Sequence, residues 1–196
     1  AWSIQAAIKT PEITDVVVST DSEEYKNIAE KYGAMVPFLR PSSFSQDASG
    51  DIDFVRHALN YFDVAKSEIN LIVHLRPTTP LRDPQIVSEA IQEFILDNGT
   101  NTALRSVHKT SESVYKAFEL SEHKTLVTIF EKNSNIEKAN QPRQDYPSTY
   151  IANGFVDIIR PNLVRQSGLI HGNNVRAFET EVALELDCQE DIDLIK

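Results

Sequence analysis

"LIVHLRPTTPLRDP", Leu71 to Pro84, decides how the chain is read. Its first half is apolar on both faces, as a strand covered by helices must be. Its second half packs three prolines, two threonines and three charged side chains directly behind that strand. Pro84 then opens a helical stretch, "PQIVSEAIQEFILDNG", that Gly99 closes. The order predicts a buried strand, a rigid polar turn at its carboxyl end, and a helix.

The flanking sequence repeats that rhythm. Upstream, "DVVVSTDSEEYKNIAEKYGAMVPFLRP" predicts a strand over Val16 to Ser19 and a helix with Asp21 and Glu24 at capping-box spacing. Gly33 stops that helix, and a second strand runs from Ala34 to Phe38. "PSSFSQDASGD" is a polar loop, and "IDFVRHALNYF" is a helix whose Ile52, Val55, Leu59 and Phe62 share a face. "AWSIQAAIKT" reads as a helix with no cap residue and no methionine ahead of it, which predicts a chain that begins inside a domain. Downstream, "TALRSVH", "YIANGFVDIIRPNLV" and "VRAFETEVALELD" read as strands, and "CQEDIDLIK" begins a last helix. Between them, "SVYKAFEL" and "KTLVTIF" predict a hairpin followed by the aperiodic "EKNSNIEKANQPRQDYP". The expected fold is α/β: one domain over 1–196 with an open, mostly parallel, doubly wound sheet, and an inserted hairpin and arm over 109–149. In such a sheet ligands bind in the crevice beyond the carboxyl ends of the strands.

Bulk properties narrow the function. Across 196 residues the formal net charge is −10, so no general grip on a polyphosphate backbone is expected and nucleic acid is not an expected partner. Cys188 is the single cysteine, which rules out an internal disulfide, and no Cys/His spacing resembles a zinc site. No run approaches the roughly 20 apolar residues of a membrane helix, so no membrane partner and a cytoplasmic location are expected.

Three segments carry groups suited to chemistry. In "RPTTPLR", prolines fix the backbone, Thr78 and Thr79 offer hydroxyls, and Arg76 and Arg82 can bind a carboxylate or phosphate through two parallel bonds. The same residues equally fit a rigid loop whose arginines lie in solvent or cap the next helix. Glu185 and Asp187 in "ELD" would face the same way on a strand and could share a divalent cation, or simply form a solvated face. Gln141, Arg143 and Asn153 lie in polar stretches. Asp21 reads as a helix cap, and His57 and His74 as core or helix-face histidines.

Taken in order, "AWSIQAA", "VVVSTDS", "YGAMVPFLRP" with "QDAS", "RPTTPLR", "QPRQDYP", the "NG" of "YIANGFVDI" and "ELDCQEDI" resemble the acylneuraminate cytidylyltransferase family. The resemblance covers nearly the whole chain. It implies attack of the anomeric hydroxyl of a 2-keto sugar acid on the α-phosphorus of CTP, with magnesium as cofactor, giving CMP-sugar and pyrophosphate. On that resemblance Arg40, Asp47, Ala48 and Ser49 contact the nucleotide, and Pro77, Thr78 and Thr79 line the floor between nucleotide and sugar. Arg82 steadies that loop and counts among the catalytic residues with Asp187, which pairs with Glu185 to hold the metal. Lys116 and Arg143 reach across to a partner's sugar site, implying a homodimer with shared sites, and Gln141 and Asn153 join the sugar contacts.

Several features depart from the family's pattern. The glycine- and basic-rich phosphate loop that should precede "AWSIQAA" is absent from the sequence. Arg76 stands where many members have Gln, Asp157 where they have Tyr, and Glu185 where Asp is usual, which implicates Arg76 and Asp157 in the choice of sugar. Leu169 and Ile170 fall where the family places apolar residues around an acyl group. The competing readings are the synthetase activating 3-deoxy-manno-octulosonate, a sugar-1-phosphate pyrophosphorylase, and a catalytically inactive sugar-binding relative.

Overall fold

The computed structural model describes residues 1–46, 49–97, 99–129, 136–186 and 188–193. Its helices are α1 (Trp2–Ile8), α2 (Glu23–Lys31), α3 (Asp51–Val64), α4 (Pro84–Leu96), α5 (Pro161–Ser167) and α6 (Gln189–Asp193). The strands are β1 (Ile72–His74), β2 (Ala103–Lys109), β3 (Phe118–Leu120), β4 (Leu126–Thr128), β5 (Tyr150–Ile159) and β6 (Val175–Glu179).

β1, β5, β2 and β6 form the main sheet in that order. β5 runs antiparallel to both β1 and β2, while β2 and β6 are parallel, so three of the four strands share a direction and β5 is the reversed one. A separate short parallel pairing joins Val17 to Met35 and Thr20 to Leu39. The mixed α/β sheet, with most strands running one way, agrees with the expected fold class.

Helices cover the sheet on both faces, because the inner part of β5 is buried on both. From α4, Val87, Ala90, Ile91 and Phe94 recur at helical spacing and pack on Leu104, Val156 and Ile158. On the other face, Val55 and Leu59 of α3 and Val164 of α5 pack on Ile159 and Ile72. α1 and α2 contribute Ile4 and Ala29 to a third cluster around Ala34 and Val36. Among the described residues no helix is long and apolar enough to cross a membrane.

The strands expected over Val16 to Ser19 and Ala34 to Phe38 are reduced to the two bridges above, and other local details also differ from expectation. Ser22, not Asp21, caps α2, accepting from the Tyr25 amide at 3.2 Å. The segment "RPNLV" turns into α5 because Pro161 occupies its first turn, where a missing N–H costs nothing. Within the arm, 114–116 is a 3-10 turn, so the β3 strand begins only at Phe118. Residues 182–186 belong to no strand, which removes the same-face argument for Glu185; Asp187 lies outside the described residues.

Candidate active-site crevice

Arg82 organises the crevice. It is 7% exposed, and its guanidinium donates to the carbonyls of Phe155 (2.5 Å), Arg76 (2.7 Å), Gly154 (2.9 Å) and Thr79, and to Ser3 Oγ (2.8 Å). These bonds use all five N–H groups of the side chain, so none is left over for a ligand. Burial, then the neighbouring Arg76 charge, pushes its pKa down to about 10. The result is a clamp that ties the "RPTTPLR" loop to β5 and α1.

At Gly154 the chain turns with φ +63°, and three distant segments converge there. A Cβ at this position would meet Arg76 Cδ at 3.0 Å, Thr79 Oγ1 at 3.1 Å and Glu185 Oε1 at 3.2 Å. The Leu186 amide donates to Thr78 O at 2.7 Å, fastening the last segment beside the loop. Thr79 is 1% exposed, and its Oγ1 has no hydrogen-bond partner among the described residues. Pro77 and Thr78 lie exposed above it. Asn153 is buried, donating to Thr180 Oγ1 at 2.7 Å and accepting from the Phe155 amide at 3.2 Å.

Next to this junction lies a cross-strand row: His74 on β1, Asp157 on β5 and Arg105 on β2 are register partners. A register shift after Arg105 lets Ser106 Oγ accept the Val156 amide at 2.9 Å and supports the row from within the ladder. Asp157, 2% exposed, takes Arg105 Nε at 3.2 Å and Arg76 Nη2 at 3.4 Å; His171 Nε2 lies 3.8 Å away, beyond hydrogen-bond reach. Burial works to raise the Asp157 pKa, but His171, Arg105 and Arg76 outweigh it and hold the carboxyl below its usual range. Half-buried, His74 has its pKa pushed down to about 4 by desolvation first and then by the Arg76 charge. Its ring packs on Phe54 at 5.1 Å, and His57 packs on Phe38 at 4.7 Å, as core histidines do.

From Arg76 the charges lead into a second compartment. The same Nη2 bonds Asp51 Oδ2 at 2.5 Å, and Asp51 lines a cleft of about 210 Å³ together with Arg40, Ser49, Phe44 and Phe54. Arg40 is placed there by its amide bond to Thr20 O at 2.7 Å, at the end of the short parallel pair, and by Nε donating to Ser45 Oγ at 2.9 Å.

The structure therefore brings together Arg40 and Ser49 in one cleft, and Arg76, Thr79, Arg82, Asn153, Asp157 and Glu185 around the loop and β5. Asp47, Ala48 and Asp187 lie outside the described residues. The arm residues stand apart. Arg143 lines a second cleft, of about 360 Å³, and donates to Thr110 O at 3.3 Å; Lys116 sits 5.9 Å from the Tyr146 ring, and Gln141 is exposed. Ile170 packs into the core against the α3 face, whereas Leu169 is exposed. Asp51, Arg105 and His171 were not singled out in the sequence. Arg105 left a signal, a charge inside an apolar strand that demands a buried partner; Asp51 reads as one of many helix-start acids.

Comparison with known proteins adds the family. The model of a family described as Cytidylyltransferase matches residues 1–194. The chain is 26% identical over 197 residues to "Post-translational flagellin modification protein B" of Campylobacter coli, covering 98% of this chain and 79% of that protein. It is 28% identical over 193 residues to "N-acylneuraminate cytidylyltransferase A" of Danio rerio, covering 98% of this chain and 42% of that protein. A solved CMP:2-keto-3-deoxy-manno-octonic acid synthetase complexed with CTP shares the fold, with TM-score 0.67, 15% identity, and coverage of 98% of this chain and 83% of that one.

Proposed function

The chain belongs to the cytidylyltransferase family, and from that premise we propose that the full-length protein is a cytoplasmic enzyme that activates a 2-keto sugar acid of the nonulosonate type with CTP. The anomeric hydroxyl attacks the α-phosphorus, the bond to the pyrophosphate breaks, and CMP-sugar and pyrophosphate leave. One observation carries the siting of this chemistry: at Gly154 the "RPTTPLR" loop, β5 and the Glu185 segment meet within 3.0–3.2 Å of a single point.

Transfer of this kind depends on positioning and charge neutralisation. Arg82 holds the loop rather than touching substrate, since its donors are engaged within the chain. Arg40 and Ser49 serve the nucleotide, and Asn153 and the loop threonines the sugar side. The chemistry of the donor set fits a hard divalent cation: Thr79 Oγ1 is buried with no partner among the described residues, it and Glu185 Oε1 both lie close to Gly154, and both are oxygen ligands of the kind magnesium takes. Glu185, with Asp187, would hold magnesium, which when bound neutralises charge on the phosphates. Among the described residues no group of three His, Cys, Asp or Glu could hold a metal ion.

The 109–149 arm is assigned to a homodimer in which Lys116 and Arg143 reach the neighbouring sugar site. The support is its surface: Phe118, Leu120, Leu126 and Ile129 are all exposed large apolar residues on one small hairpin. The test is pyrophosphate release by the full-length protein with CTP and magnesium across a panel of 2-keto sugar acids. Release with one nonulosonate is expected; release only with 3-deoxy-manno-octulosonate would move the protein to the competing synthetase, and silence across the panel would overturn the reading.

A further inference from the structure

Asp157 lies in the middle of the sheet, 2% exposed, with a guanidinium on each oxygen. Its Oδ1 accepts from Arg105 Nε at 3.2 Å and its Oδ2 from Arg76 Nη2 at 3.4 Å. Arg76 and Asp157, the two positions that the sequence implicates in the choice of sugar, therefore meet each other. What they leave free is the outer end of Arg105.

The other arginines around the crevice are already engaged. All five N–H groups of Arg82 bond within the chain. Arg76 has Asp51 at 2.5 Å and Asp157 at 3.4 Å on one nitrogen, so a third carboxylate there would be repelled by two. Arg40 sits in the other compartment, between Phe44 and Phe54. Arg105 differs from all three: only its Nε is bonded, and its two terminal nitrogens have no partner among the described residues. Its side chain is 34% exposed, and its register neighbour on β6 is the small, exposed Ala177, which covers nothing. The guanidinium is thus fixed at one end and open at the other.

A 2-keto sugar acid carries its carboxylate on the same carbon as the hydroxyl that attacks. Bringing that group against the phosphates of CTP sets anion against anion, and a cation on the sugar's side offsets the repulsion. Arg105 is joined to the reacting end of the crevice through Asp157 and Arg76. Arg76 Cδ would lie 3.0 Å from a Cβ at Gly154, while its Nη2 sits on Asp157.

We propose that Arg105, held by Asp157 through its Nε, binds the carboxylate of the sugar acid with its terminal nitrogens, and is the residue by which the protein takes an acid rather than a neutral sugar. This rests on the sugar-acid reading above.

The test is the kinetics of pyrophosphate release by the full-length protein with CTP and magnesium. The substrates are the free acids of the panel above, N-acetylneuraminate and 3-deoxy-manno-octulosonate among them, and the C1 amide of each serves as competitor. Melting temperature checks folding. Wild type is expected to favour the acid over its amide by about tenfold or more, the size of a charged hydrogen-bonded pair. Arg105→Gln is the deciding variant, because glutamine Nε2 stands where arginine Nε does: it keeps a donor for Asp157 and removes the terminal nitrogens. Its KM for the acid should rise by about the same factor while the KM for CTP and the Ki of the amide hold, so that the preference disappears. Arg105→Lys restores a cation and should recover part of it. A purely structural Arg105 predicts the wild-type preference in Arg105→Gln; that result, or a wild type indifferent to the carboxylate, would overturn the role of Arg105 and leave the sugar-acid reading standing. Silence of wild type with every free acid would overturn both.

Discussion

The strand-end crevice and the 109–149 arm both carry arginine or lysine that the functional reading uses, but they hold them in opposite ways. In the crevice, every N–H of Arg82 is bonded, and Arg76 and Arg105 converge on a buried Asp157. In the arm, Arg143 makes one long bond to a backbone carbonyl, and Lys116 faces a tyrosine ring. Crevice charges are framework, so removing one leaves other buried polar groups unmatched. Arg143 is exposed and Lys116 half-buried, and neither is locked into a buried network as the crevice charges are. Charge is therefore held in two ways in the two regions, and stability measurements separate them.

The largest effect is expected at Arg82. Arg82→Ala strands carbonyls of Arg76, Thr79, Gly154 and Phe155, and with each unsatisfied buried group costing about 1–3 kcal/mol the variant should lose about 4 kcal/mol or more. Arg82→Lys should recover little, because an ammonium cannot span a planar fork of carbonyls on two segments. Denaturant midpoints measure this; a variant within about 1 kcal/mol of wild type would break the picture of a clamp.

Acid should loosen the crevice next. His74 titrates at about 4 in the folded protein against an ordinary 6.5, because burial and then the Arg76 charge disfavour its cation. The unfolded chain therefore binds the proton first, so the contribution is complete above pH 6.5 and is lost as pH falls from 6.5 to 4. Its full size is on the order of 3 kcal/mol. His74→Phe should flatten the stability profile in that window, whereas an arm substitution such as Arg143→Ala should leave the slope in place.

How much of this the sequence disclosed follows the same division. Periodicity exposed α3 and α4, since each buries one continuous stripe, and the "RPTTPLR" turn stood out because prolines and charges behind an apolar run have few other uses. The ordered motifs carried the family resemblance. What stayed hidden was pairing. Nothing in the local sequence says that Arg76 meets Asp51 and Asp157, 25 and 81 positions away, or that all five Arg82 donors turn inward. The α5 turn leaves no clear sequence signal, because a seven-residue helix behind a strand shows too little periodicity to distinguish it. The sequence reads Glu185 as the end of the strand "VRAFETEVALELD", yet its segment lies outside any strand and is fastened to the loop by the Leu186 amide.

Gly154 tests the joint between loop, strand and Glu185 segment. Gly154→Ala introduces a Cβ at φ +63° within 3.0–3.2 Å of Arg76, Thr79 and Glu185. The backbone strain alone costs about 1–2 kcal/mol, and displacement of Thr79 and Glu185 should lower magnesium-dependent turnover more than it lowers stability. Paired measurement of melting temperature and pyrophosphate release at varied magnesium reads both. Unchanged magnesium dependence would detach Glu185 from the metal.

The smallest effect on stability, and the sharpest use of the comparison, belongs to Arg143→Ala. Arg143 is exposed, and the bond it gives up is a 3.3 Å contact to Thr110 O, itself open to water. Removing it should change stability by no more than about 0.5 kcal/mol, the ordinary range for a surface site. If the arm supplies this cation to a neighbouring sugar acid, the KM for that acid should nevertheless rise at least tenfold while the KM for CTP stays put. Mixing Arg143→Ala subunits with subunits disabled at Glu185 then distinguishes the two geometries. A site shared across a dimer predicts that some mixed dimers keep one intact site made of the undamaged parts of both chains, and activity should partly recover. A site contained within one chain predicts no recovery, because each subunit would still carry its own defect; that outcome would return the arm to a purely structural role and leave the crevice as the whole of the functional surface.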